Sequence, residues 1–424
     1  MLLYRHSFLG MLIFSSIVAS SAHANRLQDI LQYSLNSAPE IHEANANIEA
    51  SRNRTEQAKS EHWPVVRAVG SSTVSQYHRD RSDYQQKRFT PGVKAELNLY
   101  SFGAIDKNIE RNRKEEEFYQ HKYTSTREDL AYTIAQLYLY LRALHMKDSI
   151  QVMKKSLARH KAIMGNLGTI VANDMGRQSE YVQAEARMLS VEQNINRYNK
   201  ELAVTLNTLS KYTKVKITEK DLENPFNDLN DNELFNKYAI RDKAQNPTYK
   251  AQQAELEAKQ LAVEAENKKE LPKVNLVGFA TQDDRYVGVE VNWDILNRGN
   301  NYGIHEKASE MAAAHQRLDR ISRDIEETSQ LAQINIRENR IQLKTLKAQI
   351  ASSAKVVNFY KLQFDIARRS LLDVLNAERE LSEVELSLTG TEYALRLATL
   401  DYLYSQGALS TWGNVQQENK PLKF

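Results

Sequence analysis

Ten histidines are scattered along the chain, and none makes a metal-ligating spacing such as two His at i, i+4 beside a catalytic Glu. Gly165-Asn166-Leu167-Gly168 is too short for a nucleotide-binding loop and follows a helical pattern rather than a strand. Asp283-Asp284 are paired carboxylates, but they lie in the short polar segment Gln282 to Arg285 between two strand patterns, where turn chemistry accounts for them. No catalytic constellation emerges, and nothing calls for a cofactor. What remains is electrostatic. Arg369 and Asp373 are four residues apart, hence expected neighbours on one helical face. They belong to the run Ala367 to Glu378, which sets basic and acidic groups into an otherwise smooth amphipathic pattern. As an ordinary surface pair they would be worth at most ~0.5 kcal/mol.

The element that must position this pair runs from Ile304 to Thr389, 86 residues without a Gly or Pro. Leu343, Leu346, Ile350, Ser353, Val357, Tyr360 and Phe364 step by 3 and 4 in turn, which is a coiled-coil seam. A stretch this long is one rod or a helical hairpin. The charged run Ala367 to Glu378 is then the hairpin's tip.

Composition agrees with long rods. At 424 residues the chain would ordinarily form two or three globular domains, but it has only 14 Gly and 7 Pro, with 41% apolar residues. Residues 1–24 carry Arg5 and His6, an apolar run from Phe8 to Val18, then Ala22-His23-Ala24, which reads as an export signal cleaved before Asn25. About a dozen apolar residues fall short of the ~20 that a membrane-spanning helix needs. Cysteine is absent, so lipid attachment through an N-terminal thiol is excluded. The formal charge of +3 gives no basic field for nucleic acid.

The chain also repeats itself. Pro39, Ala50, Glu56, Pro64, Val66 and Gly70 match Pro247, Ala258, Glu264, Pro272, Val274 and Gly278 at an offset of 208. Gly92-Val93 and Gly103 match Gly288-Val289 and Gly299 at 196, and Ala184-Glu185 matches Ala377-Glu378 at 193. We therefore expect a first repeat at 25–212, a linker or equatorial segment at 213–233, a second repeat at 234–406 and an irregular tail at 407–424. In the first, an opening helix to about Glu61 precedes strands at about 65–77 and 92–101, a long helix 104–166, a tip at about 167–180 and a return helix. In the second, a helix to about Glu270 precedes strands at about 273–282 and 286–295, a long helix 304–366, a tip at about 367–373 and a return helix. The first rod has its own seam, Leu130, Ile134, Leu137, Leu141 and Leu144. The fold class is mainly α with a small β part: antiparallel coiled-coil hairpins plus two β-hairpins, four strands per chain.

Those strands alternate. Val93, Ala95, Leu97 and Leu99 interleave with Lys94, Glu96, Asn98 and Tyr100; Val289, Val291, Trp293 and Ile295 interleave with Glu290, Asn292 and Asp294. Strands apolar on one side and polar on the other suit an outer-membrane barrel with a wet interior, and Tyr77, Tyr100, Phe102, Tyr286 and Trp293 would supply interfacial aromatics. A lone four-stranded sheet leaves two unpaired edges, which a bilayer does not tolerate. Closed barrels need at least about eight strands, so several subunits must pool theirs.

The order of elements, the tandem duplication, Tyr100-Ser101-Phe102-Gly103 after the second strand and Ser370-Leu371-Leu372-Asp373-Val374-Leu375-Asn376-Ala377-Glu378 at the second tip resemble the TolC family of outer-membrane efflux proteins across nearly the whole chain after residue 24. The resemblance implies a homotrimer with one twelve-stranded barrel in outer-membrane lipid and a helical tunnel crossing the periplasm. Its tip would dock with a periplasmic adaptor and an inner-membrane transporter of the ABC or RND type, the channel itself being passive. It also implies that Arg369 is the tip arginine and Asp373 the first ring aspartate. Phe364 stands at the place of a hydrogen-bonding tyrosine, Asn376 at that of a second aspartate, and Glu180 at that of the first repeat's aspartate. Phe364 lacks the hydroxyl, Asn376 lacks the charge, and Ala367 replaces a glycine.

Repeated three times about an axis, Asp373 would make a ring of carboxylates that attracts cations and repels anions within about a Debye length. A periplasmic coiled-coil adaptor or scaffold would also use a helical hairpin beside β structure, but it does not require the full tandem copy with in-phase strands. An exported enzyme or binding protein would need a pocket that the sequence does not show. Within the channel reading, the missing lipidation cysteine leans toward type I protein secretion over small-molecule efflux.

Overall fold

The computed structural model describes residues 26–72, 89–139, 143–213, 216–227, 229–240, 242–282 and 284–415. The expected signal segment and the polar loop 79–88 lie outside them. The first repeat contains helices α1 (Arg26–Ser37) and α2 (Pro39–Lys59), strands β1 (Val65–Ser71) and β2 (Thr90–Tyr100), and helices α3 (Ala104–Leu139), α4 (Ala143–Asn173) and α5 (Gln178–Leu209). The second contains α6 (Asp231–Lys237), α7 (Pro247–Lys268), β3 (Lys273–Thr281), β4 (Arg285–Asn292), α8 (Arg298–Asp365) and α9 (Leu371–Ser405); α10 (Leu409–Trp412) follows.

Each expected opening helix is broken in two, at equivalent prolines. Pro39 opens α2 after the extended Ala38, and Pro247 opens α7 after Asn246, whose Oδ1 accepts from Thr248 N at 2.9 Å. A residue before proline is driven out of the helical region, and proline itself is welcome only in a helix's first turn. The rods are longer than their glycines suggested. The descending rod of the first repeat continues to Asn173 through Gly165 and Gly168 because Leu167 and Val171 still face the core. Its second-repeat counterpart starts at Arg298 and passes through Gly299 and Gly303. Its 68 residues span about 100 Å at 1.5 Å per residue.

The helices form one layer. Near the sheet, neighbours run α2, α3, α7, α8; at the far end they run α5, α4, α9, α8. The α8 seam lies against α9: Leu346, Val357 and Phe364 are buried, while Leu343, Ile350, Ser353 and Tyr360 are half-buried. The largest core forms at mid-height, where Leu27 and Leu31 of α1, Ile134 of α3, Ile150 of α4, Leu403 of α9 and Trp412 of α10 meet. Segment 213–233 contributes Ile217, Leu222 and Phe226 to that core, so it is a packed equatorial piece and not a free linker.

The four strands make one antiparallel sheet in the order β1-β2-β3-β4, leaving β1 and β4 as edges. The register carries the alternation across all four. Val66 opposes Ala95, Ala95 opposes Gly278, and Gly278 opposes Val287 on one face; Asn98 opposes Asn275 and Asn275 opposes Glu290 on the other. The polar face is cross-linked by Arg67 to Glu96 at 3.3 Å and by Asn98 to Asn275 at 2.9 Å. The opposite face is open: Val66 is 66% and Val287 77% exposed. Two expectations shift. A bulge between Asn98 and Tyr100 puts Tyr100, not Leu99, opposite Val274. The strand ending expected at 295 stops at Asn292, and Trp293 instead donates its Nε1–H to the Glu270 carbonyl at 3.0 Å. Among the described residues no helix is long and apolar enough to cross a membrane.

Candidate functional site at the helical tips

The two turns farthest from the sheet are built by local chemistry. In the first, Asp174 Oδ1 accepts from Gly176 N at 3.0 Å, folding Met175 to Arg177 into a single tight turn. Glu180 then falls in the first turn of α5, where a carboxylate faces the helix's positive end, and it accepts from Arg177 Nη2 at 2.6 Å.

In the second, α8 is terminated by paired hydrogen bonds from Ala367 N to Phe364 O at 2.9 Å and from Arg368 N to Gln363 O at 2.8 Å. This Schellman closure requires the left-handed backbone that Ala367 adopts at φ 57°. Ser370 starts α9 as its cap: its Oγ accepts from Asp373 N at 3.2 Å, and Asp373 Oδ2 receives the Ser370 hydroxyl at 2.8 Å and backbone N–H at 3.3 Å.

The expected Arg369–Asp373 pair forms, at 3.9 Å, but the two residues do not share one helical face. Arg369 sits in the turn before the cap. Its guanidinium lies over the Tyr360 ring at 4.1 Å, and its Nε donates to Gln363 Oε1 at 3.1 Å. Asp373 is primarily a helix cap. Asn376 is exposed on the next turn of α9.

Phe364 goes inward. It is 7% exposed and packs with Ile163 and Leu167 of α4, Ala184 of α5, and Leu371, Val374 and Leu375 of α9. Above it lies a cluster that the sequence reading passed over. Glu378 is fully buried, yet its Oε1 accepts from Lys361 Nζ at 2.5 Å and its Oε2 from Arg159 Nε at 2.6 Å. Arg159 also donates to Glu385 at 2.9 Å and to Ser382 Oγ at 3.1 Å, tying α4 to α8 and α9. Burial disfavours the Arg159 charge, but the hydrogen bonds and attraction of Glu385 and Glu378 outweigh it, so its pKa rises above the ordinary guanidinium value. The sequence marks Glu378 as the end of the charged tip run and as the repeat match of Glu185, which is exposed, and not as a buried charge. A signal was present: Leu371, Val374, Glu378, Leu381 and Ser382 lie on one helical stripe, so a charge stands where the core face runs.

Residues 30–213 match the model of the family described as outer membrane efflux protein. That segment is similar to the outer membrane efflux protein family. The second repeat carries the same order of elements, and solved structures extend the likeness over the chain. VceC, an outer membrane protein of Vibrio cholerae, is 14% identical, with a TM-score of 0.78 over 90% of this chain and 96% of its own. The CmeC outer membrane channel of Campylobacter jejuni is 14% identical, with a TM-score of 0.74 over 93% of this chain and 87% of its own. The open-state MtrE outer membrane channel of Neisseria gonorrhoeae is 14% identical, with a TM-score of 0.72 over 91% and 90%. No curated protein sequence matches this one. At such identities the structural likeness speaks for the fold. The matched family is described as one of outer membrane efflux proteins, and the solved structures named above share the fold of this chain.

Proposed function

We propose that three copies of the chain pool their four strands into one closed barrel in the outer membrane, standing on a periplasmic tunnel made of the long helices. The assembly is a passive conduit. An inner-membrane transporter of the ABC or RND type and a periplasmic adaptor would deliver cargo to its tips, and residues 1–24 would direct export.

One observation carries this reading: a four-stranded sheet with two open edges, one exposed apolar face and one charged face. Unpaired backbone groups are not tolerated in hydrocarbon, so the edges must be closed by further copies. Three copies follow the family resemblance. Arg369, Asp373, Asn376, Phe364 and Glu180 would shape the constriction, with Asp373 contributing one carboxylate per subunit. The chain offers no cysteine to carry a lipid, which favours protein secretion over drug efflux.

The test is to extract the protein from membranes in detergent, determine its subunit number by native mass spectrometry and record it in planar bilayers. A trimer that conducts ions is expected; a water-soluble monomer refutes the reading. Comparing a deletion strain's secreted proteins with its drug sensitivity separates the two cargo classes.

A further inference from the structure

β4 stops at Asn292, and the connection to α8 then turns Ile295 and Leu296 outward, 83% and 87% exposed. They continue the open apolar face of β4, where Val287, Val289 and Val291 are exposed as well. The 8 residues of β4 rise about 27 Å along the strand, hence roughly 20 Å along a membrane normal at the ~40° tilt of a barrel strand, which falls short of the ~25 Å apolar band. Ile295 and Leu296 make up the difference. Beside this apolar lip opens a cavity of about 690 Å³, walled by Lys269, Glu270, Lys273, Trp293, Leu296 and Arg298, within the ~300–1,000 Å³ usual for small-ligand sites. The Trp293 N–H on the Glu270 carbonyl ties its two walls together, the turn after α7 and the β4–α8 connection. Its charges are only partly spent. Lys269 pairs with Glu266 at 2.7 Å, and Asp294 accepts from Asn297 at 3.2 Å. Among the described residues Lys273, Arg298 and the Glu270 carboxylate have no ion-pair partner.

We propose that this cavity seats the headgroup of an amine-bearing zwitterionic phospholipid, phosphatidylethanolamine, drawn from the periplasmic leaflet. The inference rests on the channel reading above, which puts the open sheet face in lipid and the long helices in the periplasm. The cavity then lies where hydrocarbon gives way to headgroups. Lys273 and Arg298 receive the phosphate, the guanidinium being able to offer two parallel N–H groups to it. The Glu270 carboxylate takes the ammonium, and Trp293 and Leu296 flank the glycerol and the first acyl carbons. Two cations and one acid left unpaired in the same cavity match a headgroup that carries both signs. A purely anionic lipid leaves Glu270 without a partner, and a quaternary ammonium has no N–H to donate to it.

Native mass spectrometry of the full-length protein in detergent tests this, with phosphatidylethanolamine, phosphatidylcholine and phosphatidylglycerol offered in equal amounts. The ethanolamine lipid should be retained best. Lys273→Gln and Arg298→Gln should each weaken retention of all three lipids about fivefold, through the loss of one phosphate contact. Glu270→Gln should spare phosphatidylglycerol and remove the preference for ethanolamine over choline. All three positions are exposed, so the fold tolerates these changes. Leu296→Ser should weaken retention without altering headgroup preference. Excess inorganic phosphate should not displace the lipid, since it cannot reach Leu296 and has no amine for Glu270; displacement would make this a free-phosphate site and overturn the lipid assignment. Equal retention of the three headgroups, or retention unchanged in both Lys273→Gln and Arg298→Gln, would overturn it too. So would subunits that retain no lipid but come apart in Lys273→Gln, which assigns the cavity to a second copy of the chain. Selective retention by a protein that forms no conducting channel would leave the headgroup site standing and sink the channel reading instead.

Discussion

Glu378→Gln is the most informative single change in the described structure. Glu378 is fully buried and compensated by Arg159 and Lys361, whose side chains are 22% and 32% exposed. Removing one partner of a fully buried ion pair costs about 3–5 kcal/mol, because a charge is left behind without compensation. Here Arg159 keeps Glu385 at 2.9 Å, and Lys361 can turn toward water. The expected loss is therefore at the bottom of that range or below it, about 2–3 kcal/mol. The neighbouring pair Arg379–Glu383 supplies the control: its side chains are 58% and 62% exposed, and Arg379→Ala should cost no more than ~0.5 kcal/mol. Denaturant unfolding of the detergent-solubilised protein, followed by circular dichroism, measures both. The Glu378→Gln loss should persist from about 0.1 to 1 M salt, since a buried pair is poorly screened. If Glu378→Gln costs no more than Arg379→Ala, or if salt erases the difference, then the cluster does not bind α4 to α8 and α9.

Other expectations follow from the same geometry. Ala367→Gly should stabilise the second turn by about 1 kcal/mol, because alanine bears a steric cost at φ 57° that glycine escapes; a lower unfolding midpoint would contradict this. Asp373→Asn keeps an oxygen for the Ser370 cap but removes the charge, so cation preference at the pore should fall while stability changes little; reversal potentials in a salt gradient measure it. Arg369→Ala should loosen the second turn by stripping the cation from Tyr360 and raise single-channel conductance; unchanged current would argue against a gating role. Glu310 is held to a pKa of about 2, first by hydrogen bonds from Lys259 and Lys307, against 4.5 unperturbed. The depressed value means the unfolded chain takes up the proton first as pH falls. Its stabilisation is present above about pH 4.5 and lost toward pH 2, and Glu310→Gln should flatten that part of the stability–pH profile.

Much of this molecule is periodic, and periodicity is legible. The heptad steps from Leu343 to Phe364 placed the α8 seam because a helix must turn its apolar stripe toward a partner, whichever partner that is. The alternation from Val93 to Leu97 placed a two-faced strand for the same reason, and matched landmarks such as Pro39 and Pro247 disclosed the duplication. These are local consequences of backbone geometry and water. What the sequence could not supply is which side chains meet across elements distant along the chain. Glu185 and Glu378 occupy equivalent repeat positions, yet one is exposed and the other buried, because only the second faces Arg159 and Lys361. Arg369 and Asp373 have the spacing of a helical pair, yet the Schellman closure at Ala367 and the cap at Ser370 interrupt the helix between α8 and Asp373 and send the arginine to Tyr360. Segment 213–233 is polar enough to read as a linker, yet Ile217, Leu222 and Phe226 are drawn into a core formed by helices from both repeats. Sequence alone determined the rods, the strands and their repetition, since each answers to its own period. The tertiary structure decided which charges are buried and what holds the tips, since burial and pairing depend on neighbours that only the folded chain brings together.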